Sequence, residues 1–523
     1  MNLENLIKSL ENVENDNKKF ALLLILSELL KSNKLDESLK SNKALNHRLF
    51  NSIDPNFLAR LITTKQQVDN SPILYKQVGL SILTQFLDFP ELITDPVLLT
   101  KIDSIFDIIK SDCEENSTNL KLDAFKYLYS LSQACPEFLY QNGLIDILIN
   151  CILLEEKYSE SNLKLMYNFD TEDDTNFPIV SCKIISNLLK DIVDDKMKNK
   201  EFPFSKINEK IEKSFDNFFN RITKSQTEFK FKLINYLNFF LSNDHVKNYI
   251  LTNLFLNELV SKNVLLILND VFRSKIKQNI LELGFLLLNN FVNLYDFELV
   301  YMKDRNFFYL LIHLLCIQIS INLQQNELKI SDDLLNKMSI YYSLLEQVII
   351  ILSTASPFDT GDDESDFSDD EDRTTEPEFE KVIKIVVEAL ETISLFIKDN
   401  LCHDFSTMDK NLVFLLAPSI RVLVCWMSHE SLLEDEILEQ MPKLIAFSEF
   451  LSQKSDFNLN LFKFLSSGLT RVLNDKKQML DFKSQSTKLK EDLVKLEYET
   501  SELDEEIISI EKMLNNCKVN EEN

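Results

Sequence analysis

Cys402 and His403 are neighbours, a thiol beside an imidazole, and nucleophilic catalysis uses that pair of groups. A thiolate needs its base within hydrogen-bond reach, whereas consecutive helical residues point about 100° apart. The pair is therefore read as packing. The five histidines, His47, His245, His313, His403 and His429, include no i, i+4 pair and no short run with cysteine or aspartate in a ligand spacing, so no metal site is expected. The acidic run DDESDFSDDED, Asp362 to Asp372, offers oxygen ligands but lacks the central glycine and closing glutamate of a calcium loop. The run RLITTKQQVDNSP, Arg60 to Pro72, is polar enough for an anion cradle. Such a cradle needs glycines whose bare amides converge on the anion, and this run has none. It reads instead as the corner between two helices. Leu61 and Ile62 close an apolar face, the β-branched Thr63 and Thr64 suit a helix end, and Lys65 sits at the negative end of the macrodipole. Ser71 and Pro72 then start the next helix. No catalytic residue, cofactor or metal follows from these patterns.

The elements that would position such residues are helices. The chain of 523 residues holds 5 glycines and 11 prolines, too few glycines for sharp strand turns, and its apolar residues recur at helical spacing in runs such as KFALLLILSELLK. Asp54 with Pro55, Ser71 with Pro72 and Asp95 with Pro96 read as N-cap followed by the first helical residue, where the missing amide of proline costs nothing. Prolines thus punctuate helices rather than interrupt them. Gly143 falls where a left-handed helix end is wanted. Further helical patterns lie near Ile179 to Val193, Phe229 to Leu241, Ile280 to Leu294 and Asp333 to Leu352, and the phenylalanines of KSFDNFFNRI, Lys213 to Ile222, read as core.

A single core stops growing beyond about 250–300 residues, so many short helices in series point to an α-solenoid, although no fixed-period consensus emerges. The expected organisation is a helical array over residues 1–352, an acidic disordered linker over 353–380, a second array over 381–475 and a heptad helix over 481–516.

The net charge of −27 repels nucleic-acid phosphates and anionic lipid, and leaves basic protein segments as partners. Eight cysteines without C-x-x-C spacing suggest neither a disulfide framework nor zinc, and fit a reducing, cytoplasmic setting. The N-terminal residues lack the pattern of a signal peptide. No membrane span is expected: the nearest stretch, Phe307 to Ile321, carries His313 and Gln318 and reads as a buried inner helix.

The block FLARLITTKQQVDNSPILYKQVGLSILTQFLDFPELITDPVLLTKI, Phe57 to Ile102, resembles the signature region of the neurochondrin family, with Arg60, Leu61, Thr63, Thr64 and Lys65 at its front. KFALLLILSELLK resembles the stretch that precedes it. IRVLVCWMSHESLLEDEILEQMPKLIAF, Ile420 to Phe447, containing the single tryptophan Trp426, resembles a late helix pair of that family. The resemblance implies an armadillo-like helical protein without enzymatic activity, a cytoplasmic adaptor tied in animals to neurite growth and to binding signalling proteins and receptor tails. The lipidated N-terminal cysteines of the animal proteins have no counterpart in MNLENL, so that route to a membrane is not expected here.

The function expected is a scaffold binding protein segments on a helical-repeat surface, in signalling or cell-outgrowth regulation. The alternative is a transport or assembly adaptor for basic cargo, though one tryptophan cannot build the Trp and Asn ladder of nuclear-transport armadillo adaptors. Ser368, followed by Asp369, Asp370 and Glu371, resembles an acid-directed casein-kinase site whose phosphate would prime Ser365. In the heptads, Phe482, Leu489, Leu496, Leu503 and Ile510 form one seam row, and Ser486, Leu493, Thr500, Ile507 and Leu514 the other. Acids flank both rows, Asp492 opposing Glu497 and Glu499 opposing Asp504 in a parallel pair, so self-association through this helix is disfavoured.

Overall fold

The computed structural model describes residues 3–13, 15–31, 43–64, 72–111, 118–154, 177–198, 204–225, 227–274, 277–324, 330–354, 376–401, 405, 408–429 and 433–452. The heptad helix, Ser365, Ser368, Lys65 and Ser71 lie outside them, as do Cys402 and His403.

Among the described residues every regular element is helical. The first are α1 (Leu3–Glu11), α2 (Asp16–Lys31), α3 (Lys43–Ile53), α4 (Pro55–Thr63) and α5 (Pro72–Leu83). The short α6 (Pro90–Ile93) and α7 (Pro96–Leu99) follow, then α8 (Ile102–Lys110), α9 (Thr118–Ala134), α10 (Pro136–Gln141) and α11 (Leu144–Leu154). Beyond them come α12 (Phe177–Lys198), α13 (Phe204–Lys224), α14 (Phe229–Ser242), α15 (Asp244–Thr252) and α16 (Leu254–Arg273). The series closes with α17 (Gln278–Tyr295), α18 (Glu298–Lys303), α19 (Arg305–Leu323), α20 (Asp332–Thr354), α21 (Glu376–Asn400), α22 (Lys410–His429) and α23 (Glu434–Ser452).

Local chemistry sets many of these ends. Asp54 accepts a hydrogen bond from the Asn56 amide at 3.0 Å and Asp95 from the Val97 amide at 2.8 Å, with proline at the first helical position each time. Gly143 takes φ +78°, the left-handed end its position demands. Pro418, however, lies inside α22, against the expectation that prolines only punctuate. Ser419, beside it, returns its hydroxyl to the Leu415 carbonyl at 2.8 Å. The helix is held by packing on both flanks, with Leu416, Ile420 and Val422 no more than 1% exposed, and packing sustains a helix that proline alone would break.

The chain divides into two units, residues 1–268 and 269–523. In the first unit α2, α5, α9, α12 and α15 pack in succession as one layer, while α3, α4, α8, α11 and α13 succeed one another in a second. Each helix therefore touches its near neighbours in chain order, the arrangement of a solenoid. Hydrogen bonds pin the register: Tyr127 Oη donates to the Ile93 carbonyl at 2.8 Å, Asn187 Nδ2 to Ser132 Oγ at 3.2 Å, and Ser214 Oγ to Asp146 Oδ1 at 3.0 Å. Phe215, Phe218 and Phe219 are buried, as their spacing predicts.

In the second unit α17, α20 and α22 form one row and α19, α21 and α23 another. The acidic stretch joins α20 to α21, and its two flanking helices pack within this one unit, α20 on α22 and α21 on α19. α21 begins at Glu376, ahead of the boundary expected at residue 381.

Against the expectation of none, α19 and α22 are both long and apolar enough, by length and composition, to cross a membrane. The apolar windows of the two helices are 50% and 61% buried within the fold. Their apolarity reflects an inner position, because a helix covered on several sides is apolar on several sides. Gln318 of α19 is 4% exposed, as expected for an inner helix, whereas His313 faces outward.

Candidate binding groove

The corner residues that stand out in the sequence close the start of the first unit. Leu61 and Ile62 are buried, and Gly79 of α5 lies so close that a Cβ there would stand 3.2 Å from Leu61 Cβ. Thr63 and Thr64 turn their hydroxyls back onto the Ala59 and Arg60 carbonyls at 2.9 and 2.8 Å, occupying acceptors that the helix end leaves open. Arg60 reaches Asp16 of α2 at 2.8 Å and lies 5.3 Å from the Phe57 ring centroid. Thr63 and Thr64 therefore shape the corner, and Arg60 ties it to α2.

Beside this corner α1, α2 and α3 enclose a groove of about 600 Å³ lined by Leu10, Glu11, Val13, Lys19, Arg48, Asn51 and Ser52. Arg48 donates through Nε and Nη2 to the two oxygens of Glu11 at 2.8 and 2.9 Å, and this pairing holds the Glu11 carboxyl below its usual range. Lys19 Nζ lies 5.4 Å from the Phe57 ring centroid, on α4. Nearby, Lys43 at 2.6 Å and His47 at 3.1 Å converge on Glu91, whose pKa falls to about 2, chiefly through the Lys43 hydrogen bond.

Trp426, in the second unit, is 1% exposed and belongs to the core. Around it α20 and α22 are locked by Arg421 and Glu346, bonded at both oxygens at 2.5 and 2.6 Å. Burial nonetheless raises the Glu346 carboxyl above its usual range, outweighing the Arg421 hydrogen bonds that lower it. Cys425, one residue from Trp426, has its thiol pushed up to about 11, chiefly by burial. Cys135 is raised to about 11 and Cys316 to about 12 for the same reason, and thiols held protonated at neutral pH are poor nucleophiles. Among the described residues no three His, Cys, Asp or Glu side chains are placed to hold a metal.

Sequence reasoning found the corner and the core tryptophan's helix but missed the groove. Glu11 and Arg48 are 37 positions apart and Asp16 and Arg60 are 44, separations at which periodicity carries no signal.

Successive helices stacked in two layers, tied by buried polar bridges and lacking any strand among the described residues, define an all-α, armadillo-like solenoid. The chain belongs to the neurochondrin family, whose family model matches residues 1–463. Human Neurochondrin is 31% identical over 101 residues, which are 19% of this chain and 13% of that protein. The Drosophila melanogaster Neurochondrin homolog is 31% identical over 131 residues, 24% of this chain and 17% of its own length. The chicken protein is 26% identical over 127 residues, again 24% and 17%. The matched segments thus span less than a fifth of these relatives. Among solved structures, the SYS-1/POP-1 complex gives a TM-score of 0.42 at 10% identity, covering 99% of this chain and 94% of the other. Importin beta gives 0.30 at 11% identity, covering 91% and 50%.

Proposed function

We propose that this chain is a non-enzymatic scaffold that binds protein segments along the outward seams of its stacked helices. One observation carries the reading. α9 and α12 lie side by side, buried on most sides, and their exposed positions include Lys126, Tyr129 and Gln133 on α9 and Lys190 on α12. Such rows offer amide, ammonium and aromatic contacts at the spacing of a helix turn, the chemistry of an extended peptide's recognition. Crosslinking of the full chain to partners captured from the source cell tests this. Crosslinks should concentrate at Lys126 and Lys190 and capture should weaken in Tyr129→Ala, whereas evenly scattered crosslinks that ignore Tyr129 would reject it.

The net charge of −27 favours basic segments on surfaces away from these lysines, including the cargo of a transport or assembly adaptor, and binding of that kind weakens steeply with added salt. We place the protein in the cytoplasm, in signalling or cell-outgrowth regulation, which fractionation and partner identity would test. Phosphorylation at Ser365 and Ser368 would deepen the local negative charge by about −1.5 to −2 per site. The heptad helix over 481–516 would pack against a basic helix of a partner or against the chain's own second array rather than a second copy of itself, and a stable dimer of that peptide at low salt would contradict this.

A further inference from the structure

The groove between α1, α2 and α3 is positive within an acidic chain. Its charges cancel in pairs except one. Glu11 takes Arg48 and Asp16 takes Arg60, while Lys8 near Glu11 and Glu4 near Arg48 add one charge of each sign. Lys19 remains, with its ammonium 5.4 Å from the Phe57 ring centroid and, among the described residues, no carboxylate within ion-pair distance. Arg48 spends Nε and Nη2 on Glu11, which, among the described residues, leaves Nη1 of its planar fork without a partner. Asn51 adds an amide, and Ser52, whose hydroxyl donates to the Leu49 carbonyl at 2.7 Å, adds lone pairs. Leu10 and Val13 complete the lining with apolar surface.

We propose that this groove binds an anionic side chain, a carboxylate or a phosphoserine, carried by an extended segment of a protein partner. The anion would accept from Lys19 Nζ and Arg48 Nη1, while a neighbouring apolar side chain of the same segment covers Leu10 and Val13. A cavity of about 600 Å³ admits a few side chains. A bilayer would instead meet a broad surface of a protein whose net charge is −27, and anionic lipid is repelled there. The proposal rests on the scaffold reading and names the partner chemistry at a surface separate from the α9 and α12 rows.

The test uses the full chain and labelled peptides followed by anisotropy: one with a phosphoserine among aspartates and leucines, one with serine and glutamine in their place, and one with lysines. The acidic peptide should bind, and more weakly as salt is added. Lys19→Gln should weaken it about tenfold, the effect of one charge-assisted hydrogen bond. Glu11→Gln should tighten it several-fold, because it removes the anion that competes for Arg48. Opposite signs from two conservative changes, with circular dichroism unchanged in both, are not expected of residues that merely hold the fold. Equal affinity across the three proteins overturns the assignment, as does preference for vesicles of anionic lipid over the peptide. If only the lysine peptide binds, the scaffold reading stands and the groove assignment falls; if no peptide binds, both fall.

Discussion

Glu346 shows two opposed effects on one carboxylate. Its two bonds to Arg421 favour the charged form, burial disfavours it more, and the pKa rises. The two partners therefore differ in what their loss does. Arg421→Ala strands a charge against α22 and should cost about 3 kcal/mol, whereas Glu346→Gln keeps the shape and an acceptor and should cost about 1 kcal/mol or less. Denaturant midpoints of the two variants check this. The pH dependence has a fixed sign: a folded pKa above the unfolded value means the folded state holds the proton more tightly. This site's contribution is thus fully present below about 4.5 and is lost as pH rises through the raised folded value. Glu346→Gln should remove that slope. Glu91 has the reverse sign, being lowered to about 2 by Lys43, its own backbone and His47, so its contribution is present above 4.5 and is lost as pH falls toward 2. Because Glu91 is exposed, NMR titration should find its midpoint near 2 at low salt and closer to the usual carboxylate value in Lys43→Ala or in concentrated salt.

At the level of the helix, two glycines separate propensity from packing. Alanine in place of glycine favours a helix by about 1 kcal/mol. At Gly79 the new methyl would meet Leu61 Cβ at 3.2 Å and Ile62 Cγ1 at 3.3 Å, a gap that a few tenths of an ångström relieves. At Gly284 it would meet Val271 Cγ1 at 2.8 Å and Phe272 Cζ at 3.1 Å, inside a core where Phe272 and Phe285 already stack edge-on with centroids 4.9 Å apart. Gly79→Ala should therefore be close to neutral and Gly284→Ala should destabilise by about 1–3 kcal/mol, measured by thermal unfolding of each variant. The elements themselves were largely legible, because their causes are local: Asp54 and Asp95 cap, Pro55 and Pro96 follow, Gly143 turns, and the stripes of α12, α14, α17 and α20 have helical period. What was not legible depends on distance along the chain. The Glu11 to Arg48 bridge, the Arg421 to Glu346 lock and the order of the two layers join residues that no window spans together. Pro418 inside α22 escaped for a related reason, since only neighbouring helices hold that segment helical.

Within each unit, stacking in chain order makes stability a sum of local terms. The single tryptophan, Trp426, is buried in the second unit and reports on that unit, while far-ultraviolet dichroism reports on every helix. Leu58 is fully buried in α4, and Leu58→Ala should cost about 2–5 kcal/mol in the first unit. The dichroism transition should move to lower denaturant and the tryptophan transition should stay in place; equal shifts in both would show coupling that nearest-neighbour stacking does not supply. The same stacking bears on how the chain is made. Since α1 packs on α2 and α3, and α4 on α5, the opening helices find their partners within the first eighty-three residues. At about 5–20 residues per second of synthesis, with loops closing in well under a millisecond, those helices can consolidate while the second unit is still unwritten on the ribosome. Within the first unit the emerging chain then grows by addition to a finished edge, and each apolar face waits only for the next helix rather than for the last.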